Sequence, residues 1–113
     1  MTVQEIIAAL PVTIAAGRQV LFKPVTGGYA SDLLSNVMGQ AAAGNVWVTM
    51  QGHQNVVAVA SLAGLAAIVI ARGVEPAPET LQKAEQENVV ILTTHLSAFE
   101  VVGRLYQMGV KGV

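Results

Sequence analysis

Both histidines of the chain fall where an aliphatic run gives way to a polar one. His53 lies in Gln51-Gly52-His53-Gln54-Asn55, and His95 lies in Thr93-Thr94-His95-Leu96-Ser97. A third run, Thr26-Gly27-Gly28 followed by Ser31 and Asp32, carries a glycine pair. Glycine lacks a Cβ, so a backbone or ligand can approach such a pair closely. Imidazoles with a carboxylate in reach could act as acid and base. Free N–H groups at helix N-termini could hold an anion. On this reading Thr26, Gly27, Gly28, His53, Gln54 and His95 form one ligand-binding crevice. Lys23 is the only cation close in sequence, so amides would carry most of the binding. The expected ligand is then an anion with an apolar body, such as a nucleotide.

Each of these residues has a plainer explanation. Ser97-Ala98-Phe99-Glu100 spells a capping box, which satisfies helix N–H groups without chemistry. Ser31 and Asn55 suit helix starts for the same local reason. Asp32 fits a first helical turn, where the dipole favours a carboxylate. Two histidines without a carboxylate or thiolate motif make no metal site. A phosphate-binding glycine loop with its lysine is absent. No catalytic residue, metal or cofactor is therefore assigned. Phe99, Val102 and Tyr106 share one helix face and are expected in the core.

The elements that must position these residues follow from the hydrophobic pattern. Thr2 is placed to cap a helix over 3–10 that Pro11 ends. Strands are predicted over 12–16 and 25–30, then a helix from Asp32 to about Ala42, with Ser31 as its cap and Gly44 as its stop. Three strand–helix pairs follow: strands over 46–50, 67–71 and 89–93, helices over 55–63, 78–87 and 98–108. Near-continuous aliphatic strands alternating with helices indicate a largely parallel sheet covered on both faces. The fold class is α/β, with three strand–helix repeats after an N-terminal helix and two strands. Ligands of such sheets bind beyond the carboxyl ends of strands.

Composition narrows the function classes. The 113 residues suit one domain spanning 1–113. Charged residues make up 12% and the net charge is −1, against about 25% charged in an average domain. No basic cluster exists, which argues against nucleic acid as a partner. A charge-poor surface suggests burial against another copy or partner. Without cysteine there is neither a disulfide framework nor thiol chemistry, in keeping with a cytoplasmic protein. The N-terminus lacks the positive start of a signal peptide. The apolar run over 56–71 falls short of the ~20 residues a membrane helix needs, so no membrane association is expected.

Three separated segments resemble one family. Val25-Thr26-Gly27-Gly28-Tyr29 with Ser31-Asp32-Leu33-Leu34-Ser35 is similar to the DRTGG domain. So are Gln51-x-His53-Gln54-Asn55-x-Val57-Ala58-Val59-Ala60 and Leu96-Ser97-x-Phe99-Glu100-x-x-Gly103-Arg104-Leu105-Tyr106. The likeness covers nearly the whole chain, as for a stand-alone member. Phe22-Lys23 is read as standing where the family has its Asp-Arg. The resemblance implies a small α/β domain similar to the N-terminal domain of HPr kinase. It also implies an accessory role beside a catalytic unit, with self-association, and it carries no catalytic residues. The expectation is a non-catalytic regulatory or interaction domain, a homodimer, with an enzyme as candidate protein partner. The alternative is a sensor of an adenine-nucleotide-like small molecule at the strand-end loops.

Overall fold

Five strands form one sheet in the order β1-β5-β4-β3-β2 in a computed structural model that describes residues 1–113. Along the chain the elements are α1 (Val3–Ala9), β1 (Thr13–Ala16), β2 (Gly27–Ala30), α2 (Leu34–Gln40), β3 (Asn45–Thr49), α3 (Asn55–Ala63), β4 (Ala67–Ile70), α4 (Pro78–Glu87), β5 (Ile91–Thr93) and α5 (Ala98–Gln107). Strands β2 to β5 are mutually parallel, and β1 alone runs antiparallel, against β5.

Alternation along the strands splits the core in two. Val46, Val48, Ala67, Val69 and Leu92 face a cluster closed by Val3 and Ile6 of α1 and by Val101 and Leu105 of α5. Trp47, Ile68, Ile70 and Ile91 face the other way, against Val37 of α2, Val56, Val57 and Ala60 of α3, and Ala84 of α4. Successive side chains of a strand point to opposite faces, so an unbroken aliphatic run is what a sheet covered on both sides requires. The expected α/β class with helices on both faces is therefore present. Three crossovers, through α2, α3 and α4, use one face. After β5 the chain returns to the face that α1 covers.

Gly17 makes the turn out of β1. It has φ +86°, and a Cβ there would lie 2.7 Å from the Val90 Cα. Its N–H donates to the Glu85 carboxylate at 2.6 Å. Only glycine combines that left-handed backbone with that proximity.

As expected of a strand over 25–30, the glycine pair lies in β2, where Gly27 pairs with Asn45 and Gly28 with Val46. Two local expectations need correcting. The strand-to-helix turn is Ser31–Leu33. Ser31 Oγ accepts from the Leu33 N–H at 3.1 Å, ahead of a helix that starts at Leu34. Asp32 is consequently outside the first helical turn. Thr2 makes no side-chain cap to α1 and bridges Pro24 instead.

The larger correction concerns α5. Phe99 is 88% exposed, Tyr106 56% and Val102 39%. At 100° per residue these three sit on an arc beside the buried Val101 and Leu105, so the helix has two apolar faces and the sheet covers only one. The periodicity was compatible with either face pointing inward. Packing over β2 and β3 selected the Val101–Leu105 face.

Candidate functional site

At the carboxyl end of the sheet four loops lie side by side: Ser31–Leu33, Met50–Gln54, Arg72–Ala77 and Thr94–Ser97. Their polar groups are largely used on one another. Asp32 Oδ1 accepts from the Thr49 hydroxyl and from the Met50 N–H, each at 2.7 Å. The Gly52 carbonyl accepts from the Thr80 hydroxyl at 2.8 Å and from the Ala77 N–H at 3.1 Å. Arg72 N–H donates to Leu96 O at 2.7 Å, and Gly73 N–H to Thr94 O at 2.9 Å. Thr94 Oγ1 donates to Pro11 O at 2.8 Å. These loops are sewn to each other, which stiffens the end of the sheet where a ligand would be expected.

The helices after β4 and β5 cover opposite faces, since α4 contributes to one core cluster and α5 to the other. The gap between these strand ends is the topological switch point, where open α/β sheets bind ligands. A cavity of about 260 Å³ opens beside it, lined in part by Thr13, Glu75, Thr93 and His95. Arg72 at the end of β4 adopts φ +65°, a region side chains other than Asn, Asp and Gly seldom enter.

The six candidate residues are not gathered in one crevice. Thr26 lines a cavity of about 480 Å³ at the amino ends of the strands, with Lys23, Ser61, Glu87 and Asn88. Gly28 lines an apolar groove of about 230 Å³ under α5, with Tyr29, Val102 and Tyr106. His95 belongs to the switch-point cavity at the opposite end. His53 and Gln54 are exposed and line none of the four cavities. The reason is topological. A strand's amino end cannot share a crevice with the carboxyl end of its parallel neighbour, and β2 begins with the glycines.

The plainer readings fare well locally. His53 Nδ1 accepts from the Asn55 N–H at 3.2 Å, at the start of α3. Ser97 Oγ accepts from the Glu100 N–H at 3.2 Å. The Glu100 carboxylate turns to Arg104, at 3.8 Å. Glycine at 27 is explained by the C-terminal segment. A Cβ there would lie 2.9 Å from Lys111 O, and Gly28 N–H donates to that same carbonyl at 2.8 Å. No group of three or more His, Cys, Asp or Glu residues is placed to hold a metal.

The Lys23 ammonium donates to Asn88 O at 2.6 Å, and burial pushes its pKa below the ordinary 10.5. Sequence reasoning singled out Lys23 but missed Arg72, whose backbone conformation has no sequence signal, and the outward stripe of α5.

A DRTGG domain model matches residues 5–108. The chain belongs to the DRTGG domain family. Counted back from Thr26, the residues directly ahead of this member's Thr-Gly-Gly are Pro24 and Val25. Phe22-Lys23 therefore does not occupy the Asp-Arg positions, and the motif's charged pair is absent here. No curated protein sequence matches the chain. Among solved structures it is similar to the CBS and DRTGG domains of the regulatory region of Clostridium perfringens pyrophosphatase, complexed with the activator diadenosine tetraphosphate. The TM-score is 0.75 at 13% identity, over 94% of this chain. The chain spans about half, 46%, of the length of that structure. At this identity the likeness establishes the fold. No helix is long and apolar enough to cross a membrane.

Proposed function

We propose that this DRTGG domain is a non-catalytic regulatory or interaction module that self-associates and acts on a partner enzyme rather than on a substrate. One observation carries the reading: α5 exposes Phe99, Val102 and Tyr106 in one stripe beside an apolar groove. Soluble domains that leave such a surface open generally use it for contact. The loops at the carboxyl end of the sheet support the same view, because several of their hydrogen-bonding groups are committed to one another. That end supplies no nucleophile with its base. The regulatory setting of the similar pyrophosphatase region agrees with it. Cytoplasmic residence fits the cysteine-free sequence.

The test is sedimentation equilibrium over roughly 1–200 µM, the range in which a specific dimer of ordinary affinity populates both states. A dimer that persists at the low end supports the module. A monomer throughout removes self-association from the reading.

A second reading rests on the switch-point cavity. There His95, Glu75, Thr13 and Thr93 could contact a small ligand, and the similar regulatory region binds a dinucleotide activator. Its volume of about 260 Å³ is below the ~300–1,000 Å³ of usual small-molecule sites. It would accept part of an adenine nucleotide, so this reading ranks second. Calorimetry with adenine mono-, di- and dinucleotides tests it. Binding that His95→Ala abolishes would favour the sensor, and absence of heat would leave the interaction module.

A further inference from the structure

We infer that two copies pair through antiparallel α5 helices crossing at the midpoint between Val102 and Gly103. The inference rests on the self-association reading and specifies its surface. At 100° per residue, Phe99, Val102, Gly103 and Tyr106 fall within an arc of about 100° on the outer side of the helix. Gly103 lies in the interior of α5, where glycine is disfavoured against alanine. Nothing in the protomer accounts for it, because a Cβ at 103 would meet no atom within 4 Å. A second helix does account for it. A notch between two aromatic side chains lets another backbone approach at the close end of the usual 8–10 Å separation.

The order of residues identifies the occupant as a second copy. Reversing α5 about the 102/103 midpoint places Phe99 opposite Tyr106, and Val102 opposite Gly103. Val102 then meets the glycine notch and the two rings stack, a self-complementary match of the kind an isologous interface uses. Lys111 holds its ammonium 3.8 Å from the centre of the Tyr106 ring, which steadies one of the two aromatic contacts. The area is also adequate. Phe99 and Tyr106 of two copies supply roughly half of the ~1,200 Å² that a specific dimer buries. Val102 and the exposed Ala30 and Val113 beside the groove add to that area.

The chain contains no cysteine, so a single engineered thiol reports the crossing directly. Val102→Cys in the full chain should yield a covalent dimer on mild oxidation, since the two Cβ atoms flank the dyad. Leu62→Cys on α3, 77% exposed, should not. Gly103→Leu should raise the dimer dissociation constant roughly tenfold or more by filling the notch. Circular dichroism and Trp47 emission should stay those of the folded domain, because the protomer has space for the side chain. A parent dimer that Gly103→Leu leaves intact, with no Val102→Cys cross-link, overturns the α5 pairing while self-association stands. A parent that is monomeric throughout overturns both.

Discussion

Asp32 Oδ1 sits 2.7 Å from the Thr49 hydroxyl and the same distance from the Met50 amide nitrogen. One carboxylate oxygen thus fastens the exit of β2 to the exit of β3, across 17 residues of chain. Trp47 adds a second tie, its indole N–H donating to Ser31 O at 2.8 Å. The turn that the sequence suggested as a ligand loop is held as a structural clamp.

Asp32→Ala should cost about 1–3 kcal/mol, the usual cost of losing hydrogen bonds to a charged group. Trp47 is the chain's one tryptophan and is fully buried, so its emission follows urea unfolding. A midpoint unchanged from the parent would show that the clamp contributes nothing to stability.

Gly27 and Gly28 should respond differently to a methyl group. Gly27→Ala drives a Cβ to 2.9 Å from Lys111 O, whereas at Gly28 the nearest atom is 3.4 Å away. The expected loss is about 1–3 kcal/mol at 27, as for other overpacked sites, and under about 1 kcal/mol at 28. Equal effects in urea melts would mean that the C-terminal segment is not seated against β2.

Gly17→Ala should be the most damaging single change at a glycine. Left-handed backbone strain adds to a 2.7 Å clash with the Val90 main chain. A loss of at least about 3 kcal/mol is expected, combining the backbone and packing costs. Retention of the parent melting temperature would contradict the turn geometry.

Lys23 gives a pH dependence whose sign is fixed. Burial lowers its pKa below 10.5 in the folded state. Between that lowered value and 10.5 the unfolded chain binds more protons than the folded one, so stability contributed by this group rises with pH. At lower pH both states carry the proton, and the contribution is flat. Comparing the parent with Lys23→Met from neutral pH to 10.5 isolates it. The difference between the two should move in the parent's favour as pH climbs, and movement the other way would refute desolvation as the dominant influence.

The sequence by itself determined the secondary elements and the class. Short, nearly continuous apolar runs at 46–48, 67–71 and 89–92, alternating with helical segments, match strands buried on both faces. Helix starts with Pro78 and Ser97 were readable because capping is local chemistry. The family, too, was legible, from short segments in fixed order. What only the tertiary structure decided was which strand end each segment occupies and which side of α5 faces inward. Gly27 and Gly28 were readable as strand residues, yet only long-range pairing with β3 and the approach of Lys111 fixed their place at an amino end of the sheet. The candidate ligand residues were consequently divided between its two ends. Along α5, both faces carry apolar side chains at helical spacing. The choice between them depended on shape and volume against β2 and β3, and a pattern of residue types along one helix does not encode the surface it will meet.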